Sequence, residues 1–362
     1  MTLMTFVYLI AGLVLLVAGA EVLVRGAARL AAQFGIPPLI IGLTVVAFGT
    51  SAPEMAVSVQ SAFAGQGDIA VGNVVGSNIF NVLFILGLSA LITPMLVSRQ
   101  LIRLDVPIMI GASLLAWFLA MDEQYGRLDG VLLFGSVLLY TGFLIFSSLR
   151  TRNNGASEEF EDEYGIHEAA GGRFTTLRHL AFIAVGLVLL VYGSGLLVDG
   201  AVTLAKALGL SELVIGLTII AAGTSLPEVA TSIIAACKGE RDIAVGNVVG
   251  SNIFNLLAVL GLASLVSPTP LSVSANAIAF DYPVMIAVAM ACLPIFFAGY
   301  CIRRWEGALL FAYYLIYTAW LVMHSTDAPS LAMFSQAMLW FVLPLTAVTL
   351  LVIGGRAWKL QR

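Results

Sequence analysis

The chain has 362 residues, 60% of them hydrophobic and only 10% charged, and its mean hydropathy is +1.01. A water-soluble domain of ordinary make-up carries roughly 25% charged residues, so this chain cannot coat itself with polar surface and the soluble globular class is excluded. Its net charge of −4 sits almost entirely in connecting segments and gives no basic surface for nucleic acid.

The apolar residues come in blocks of bilayer-spanning length. In chain order they predict eleven spans: 3–24, 37–64, 69–97, 104–121, 130–149, 178–198, 213–236, 243–266, 280–300, 305–323 and 331–354. The first block follows no basic segment and has no small-residue cleavage site, so it reads as a retained helix and not a signal peptide. With eleven spans the connecting loops alternate between two sides. Fifteen of the 17 Lys and Arg residues fall on one side, and only Arg127 and Lys206 on the other. The positive-inside rule then predicts an outside N-terminus and a cytoplasmic C-terminus.

A repeat runs through the chain at an offset of 174 residues: DIAVGNVVGSNIFN spans Asp68 to Asn81 and again Asp242 to Asn255. Upstream, GLTVVAFGTSAPE at 42–54 matches GLTIIAAGTSLPE at 216–228 in nine of thirteen positions. GLVLLVAG at 12–19 matches GLVLLVYG at 186–193; downstream, Asp105 and Pro107 match Asp281 and Pro283, and Asp129-Gly130 matches Glu306-Gly307. Each copy holds five spans, an odd number, so the second enters the membrane from the opposite side. The predicted fold is an all-α integral membrane protein of two inverted five-helix repeats, residues 1–150 and 177–324. A polar linker at 151–176 joins them, and 325–362 adds one further transmembrane helix and a basic tail. Inverted repeats are the build of secondary transporters with a site near the bilayer midplane. The acidic run in the linker lacks the spacing of an EF-hand loop.

Most acidic residues fall in loops or near helix ends; Glu54 and Glu228 lie deep inside spans at equivalent repeat positions. A charge at the bilayer centre costs about 2.5–3.5 kcal/mol on insertion scales, so the pair points to function. Ala47, Thr50, Ser51 and Glu54 share one helix face, as do Ala221, Thr224, Ser225 and Glu228. Pro53 and Pro227 cannot donate to the carbonyls of Gly49 and Gly223, which adds oxygens to the hydroxyls nearby. Asn73, Ser77 and Asn81 line one face of the third span, and Asn247, Ser251 and Asn255 one face of the eighth. For Asn73 and Asn247 an amide ladder between helices competes with an ion-binding role. Gly72, Gly76, Gly246 and Gly250 are expected to let these spans approach the glutamate-bearing ones. Two carboxylates among hydroxyl, amide and carbonyl oxygens, without Cys or His, suit a hard cation. Asp68, Asp242, Asp105 and Asp281 read as helix caps. Cys237, Cys292 and Cys301 lack metal or redox spacing, and His167, His179 and His324 suggest no cluster. No H-E-x-x-H, nucleophile elbow or Ser/His pairing supports an enzyme.

The paired GTSAPE and GTSLPE segments, each followed by GNVVGSNIFN, resemble the two repeats of the cation/Ca²⁺ exchanger superfamily, and within it the prokaryotic sodium/calcium exchangers. The resemblance covers residues 1 to about 324. It implies a Na⁺/Ca²⁺ antiporter of a prokaryotic plasma membrane with no cofactor, whose partners are its ions and the lipid bilayer. It places ion ligands on Ala47, Thr50, Ser51, Glu54, Ser77 and Asn81, and on Ala221, Thr224, Ser225, Glu228, Ser251 and Asn255. It also implies exchange of about three Na⁺ for one Ca²⁺ as the first and sixth spans slide past a rigid core. Asn255 stands where several relatives carry Asp, which argues against K⁺ dependence. The extra glutamates of cation/proton relatives are missing, which leaves H⁺/Ca²⁺ exchange as the runner-up and a passive cation channel behind it.

Overall fold

The structure, a computed structural model, describes residues 3–34, 36–153, 173–207, 221–326, 328–342, 344–346, 348–349 and 355. The chain is helical almost throughout: α1 (Leu3–Phe34), α2 (Pro38–Thr50), α3 (Ala52–Phe63), α4 (Gly67–Ile92), α5 (Leu101–Asp122) and α6 (Arg127–Asn153) form the first half. The second half has α7 (Arg173–Ala207), a short turn at Ala221–Gly223, α8 (Leu226–Cys237), α9 (Arg241–Val266), α10 (Ala277–Phe297) and α11 (Arg304–Ser325). Among the described residues, eight helices are long and apolar enough to cross a membrane, and α2 with α3 makes a ninth span bent by 45°. The start of the predicted seventh span falls in 208–220, most of the linker in 154–172, and the end of the eleventh span with the basic tail in 351–354 and 356–362, all outside the described residues. The eleventh span is described over α12 (Leu331–Ala337) and a π-helical turn at Met338–Val342.

Burial sorts the helices into a centre and a rim. The most apolar stretch of α9 is 89% buried and that of α4 72%, whereas that of α11 is 11% buried. Outer helices turn large apolar side chains away from the protein, among them Ile10, Phe118, Leu139 and Tyr192. In water such a surface would drive aggregation; in a bilayer it is the expected lipid face.

α1 and α7 are joined through glycines seven residues apart. A Cβ at Gly12 would meet the Gly193 carbonyl oxygen at 2.8 Å, at Gly19 that of Gly186 at 2.9 Å, and at Gly26 that of His179 at 3.0 Å. The partner numbers fall as the α1 numbers rise, so the helices run antiparallel with backbones in contact, as the inverted repeat requires. At the far end Gln33 donates to Thr176 Oγ1 at 2.7 Å and meets buried His179 at 3.0 Å, so His179 is an interhelical link and not a helix-end residue.

Two short antiparallel ribbons tie the halves together. β1 (Met95–Leu96) pairs with β4 (Cys301–Ile302), and β2 (Gln124–Tyr125) with β3 (Leu271–Ser272). Each joins a loop after the third span of one repeat to a loop after the fourth span of the other. Such pairs share a side only if the repeats are inverted.

The acidic residues depart from expectation. Gln66 and Glu240, not Asp68 and Asp242, occupy the N-cap positions of α4 and α9, and both aspartates lie within the first turn. Asp105 and Asp281 cap nothing. Each closes a π-helical turn inside a continuing helix. Tyr140 Oη donates to Asp105 Oδ1 at 3.0 Å, and Tyr317 Oη to Asp281 Oδ1 at 3.1 Å. A buried acid needs a donor, and both tyrosines come from the following span. Asp105 is as fully buried as Glu54 and Glu228, which a helix cap would not be expected to be. Asp129 and Glu306 do cap, accepting from the Gly126 and Arg303 N–H groups at 2.8 and 2.7 Å. The cysteines are free thiols.

Candidate functional site

Each site glutamate occupies the first turn of a helix that starts at a break. Ser51 and Ser225 have φ/ψ of −78°/8° and −88°/9°, which stops the preceding turn. Pro53 and Pro227 follow within the opening positions of α3 and α8, where the missing N–H costs nothing and the fixed φ suits a helix start. Glu54 and Glu228 then lie at helix N-termini, whose unsatisfied N–H groups favour negative charge.

Both glutamates are fully buried. Ser225 Oγ donates to Glu54 Oε1 at 2.6 Å, and Ser51 Oγ donates to Glu228 Oε1 at 3.1 Å. Each carboxylate is thus held by a serine of the other half. Ser77 Oγ lies 3.3 Å from Ser225 Oγ. These contacts bring Ser51, Glu54, Ser77, Ser225 and Glu228 into one buried group.

The amides at the next positions serve as struts. Asn73 Nδ2 donates to Ser58 Oγ at 3.0 Å and to the Glu54 carbonyl at 3.2 Å, and its Oδ1 accepts from Thr224 at 3.4 Å. Asn247 Nδ2 donates to Ser232 Oγ at 3.0 Å, and its Oδ1 accepts from Thr50 at 3.0 Å. The amide ladder accounts for both asparagines, and it links the halves through Thr50 and Thr224. Sequence reasoning passed over Ser58 and Ser232. Their signal was present: both lie one helical turn after a site glutamate and match across the repeat.

Two backbone expectations change. The Gly223 carbonyl freed by Pro227 is taken by Ser194 Oγ of α7 at 2.7 Å. The Ala47 carbonyl already accepts from the Ser51 N–H at 3.0 Å, and Thr50 Oγ1, whose proton goes to Asn247, lies 3.3 Å from it. Ala221 is helical at its backbone, and its side chain lies outside the described residues. Gly246 and Gly250 pack on α2 as expected: a Cβ at Gly250 would lie 2.8 Å from Leu43 and Ala47. The equivalent partner of Gly72 and Gly76 falls in 208–220.

Around this framework several buried oxygens have no hydrogen-bond partner among the described residues: Glu54 Oε2, Glu228 Oε2, Asn81 Oδ1, Ser251 Oγ and Asn255 Oδ1. An unsatisfied buried polar atom costs about 1–3 kcal/mol, more if charged, so their gathering here is a cost that a bound cation removes. Asn81 and Asn255 each open a π-helical turn, a widening that recurs at functional sites. Among the described residues no three His, Cys, Asp or Glu side chains come together. The donor set is two carboxylates and neutral oxygens, which fits Ca²⁺ or Na⁺ and not a thiophilic metal.

A family model described as sodium/calcium exchanger protein matches residues 4–148 and 178–323. The chain is 40% identical over 298 residues to inner membrane protein YrbG of Escherichia coli K12, covering 82% of this chain and 88% of that one. It is 39% identical over 287 residues to the putative antiporter CaxA of Alkalimonas amylolytica, covering 79% and 88%. With the sodium/calcium exchanger MaX1 of Methanosarcina acetivorans it shares 32% over 347 residues, covering 88% and 98%. The solved structure of the sodium-calcium exchanger NCX_Mj soaked without Na⁺ and Ca²⁺ superimposes with a TM-score of 0.75 at 30% identity, covering 89% of this chain and all of that one. The chain is therefore a membrane antiporter, not an enzyme, and belongs to the sodium/calcium exchanger family.

Proposed function

We propose that this antiporter exchanges Na⁺ for Ca²⁺ by alternating access, with both ions competing for the oxygens between α2–α3, α4, α8 and α9. The observation that carries this reading is the pair of buried carboxylates, each clasped by the opposite half and each left with one free oxygen. Two carboxylates neutralise one Ca²⁺ in a low-dielectric interior. The same carboxylates with Ser77, Asn81, Ser251, Asn255 and the Thr50, Ser51, Thr224 and Ser225 hydroxyls hold Na⁺ instead. The Ala47 carbonyl, through the lone pair that its bond from Ser51 N–H leaves, and the Ala221 carbonyl complete the set at its edges. Because the ligands are shared, the site carries one species or the other, and the gradients are coupled.

The two repeats, 1–150 and 177–324, supply one half of the site each, and α1 with α7 forms the body that moves. The Lys and Arg asymmetry places the N-terminus outside and the C-terminus in the cytoplasm, in the plasma membrane. The names sodium/calcium exchanger MaX1 and inner membrane protein YrbG support the ion pair and the location.

Purified protein in liposomes should take up radiolabelled Ca²⁺ only against an opposing Na⁺ gradient. Uptake driven by a pH gradient alone would replace Na⁺ with H⁺ as the coupling ion, and uptake with neither gradient would make the chain a channel.

A further inference from the structure

Three asparagines, Asn78 and Asn81 from one half and Asn252 from the other, are hydrogen-bonded together where α4 passes α9. Asn78 and Asn252 occupy equivalent repeat positions and are buried. Each donates its amide nitrogen to the other's main-chain carbonyl, at 3.3 Å in both directions. A main-chain carbonyl only accepts, so both amides are fixed with Nδ2 toward the partner backbone and Oδ1 turned away. The sulfurs of Met285 and Met109 lie 3.7 and 3.5 Å from the same two nitrogens and leave that polarity unchanged.

Beyond this point the halves diverge. Asn252 Oδ1 accepts from Asn81 Nδ2 at 3.0 Å. An amide that gives its nitrogen to Asn252 has its oxygen on the other side, and Asn81 Oδ1 is one of the buried oxygens without a donor. In the mirror position the link is unmade: among the described residues Asn78 Oδ1 has no partner, and neither polar atom of Asn255 is engaged. Identical fourteen-residue segments thus carry one site amide whose direction is fixed and one whose direction is free. The cause lies in how the two halves pack, since the local sequence is the same.

We propose that Asn252 is a positioning residue: through the order Asn78 carbonyl, Asn252 amide, Asn81 amide it turns the oxygen of Asn81, not its NH₂ group, toward the cation. An NH₂ group offers a cation only donors, so an unheld amide spends part of its time repelling the ion. Asn81 is then a constant ligand and Asn255 an adjustable one. The inference rests on the cation site described above.

Equilibrium binding of radiolabelled Ca²⁺ to the purified full-length protein tests it. Asn252→Leu, close in shape but without polar atoms, should weaken Ca²⁺ binding by about tenfold, as loss of a partner that orients a metal ligand does. In an Asn81→Ala background Asn252→Leu should add nothing, because no amide remains to be oriented. If Asn252→Leu weakens binding equally in both backgrounds, Asn252 is a packing residue and the proposal fails. Should the leucine variant not fold, Asn252→Ala gives the same cycle. A parent protein that binds no Ca²⁺ at all would overturn the cation site itself, an outcome distinct from either cycle result.

Discussion

Where α3, α4, α8 and α9 meet, polar side chains cross from one half to the other: Ser225 to Glu54, Ser51 to Glu228, Thr50 to Asn247, and Asn78 with Asn252. Where α1 meets α7, the seam is a run of glycines with backbones in contact. Hydrogen bonds are directional and fix distances; apolar backbone packing fixes proximity. The first region therefore has one geometry and can hold a ligand shell. The second is a stiff pair tied to the centre by few polar links, chiefly Ser194 to Gly223 and the exposed Lys238–Glu21 bridge at 3.1 Å. That contrast fits the proposed alternating access, in which a fixed site lies beside a moving gate.

The largest expected effect breaks the central region. Glu54→Gln and Glu228→Gln each keep the shape and remove half of the negative charge opposing Ca²⁺. Ca²⁺ exchange should fall by more than the roughly hundredfold that marks loss of an orienting partner, with insertion and folding intact. Flux in liposomes, with size-exclusion elution as the folding control, reads both. Wild-type flux from either variant would remove that carboxylate from the site, and unequal losses would rank the halves.

A smaller effect separates the seam from the rest of α7. Gly19→Ala places a methyl only 2.9 Å from the Gly186 carbonyl oxygen, closer than side-chain carbons normally come, and backbone does not yield easily. Overpacking of this kind costs about 1–3 kcal/mol. Gly195→Ala on the same α7 meets nothing within 4 Å and should be neutral or stabilising. Thermal unfolding in detergent should lower the Tm of the first variant and not the second. Equal melting would mean that the pair tolerates separation.

Much of this plan was legible before any coordinates. The constant offset between the repeats, the odd span count and the Lys and Arg asymmetry pointed to the inverted architecture, because all three are read from residue identity, apolarity and charge along the chain. The glutamates were legible because a carboxylate in an apolar span is costly wherever it points. The partners were not. Tyr140 is 35 residues from Asp105 and Tyr317 is 36 from Asp281, so nothing local marks either acid as a tyrosine's acceptor instead of a cap. Asn81 and Asn255 sit in identical segments, and only packing across the halves tells them apart. The glycines at 12, 19 and 26, matched by 186, 193 and 200, were a signal that hydropathy alone conceals.

The smallest effect sharpens the contrast most, because it touches the link between the two regions. Ser194 on α7 donates to Gly223 beside the break before α8. If α7 shifts between states while Gly223 stays with the centre, this bond belongs to the present state only. An interhelical hydrogen bond in a membrane protein averages about 0.6 kcal/mol, so Ser194→Ala should change the balance of states by about threefold. A shift in balance raises the apparent Ca²⁺ affinity on one face of the membrane and lowers it on the other, since each face sees only the fraction open to it. Half-saturation measured separately in inside-out and right-side-out vesicles should therefore move in opposite directions. Movement in the same direction on both faces would place Ser194 and Gly223 in the rigid centre, and the boundary between gate and core would have to be redrawn through α7.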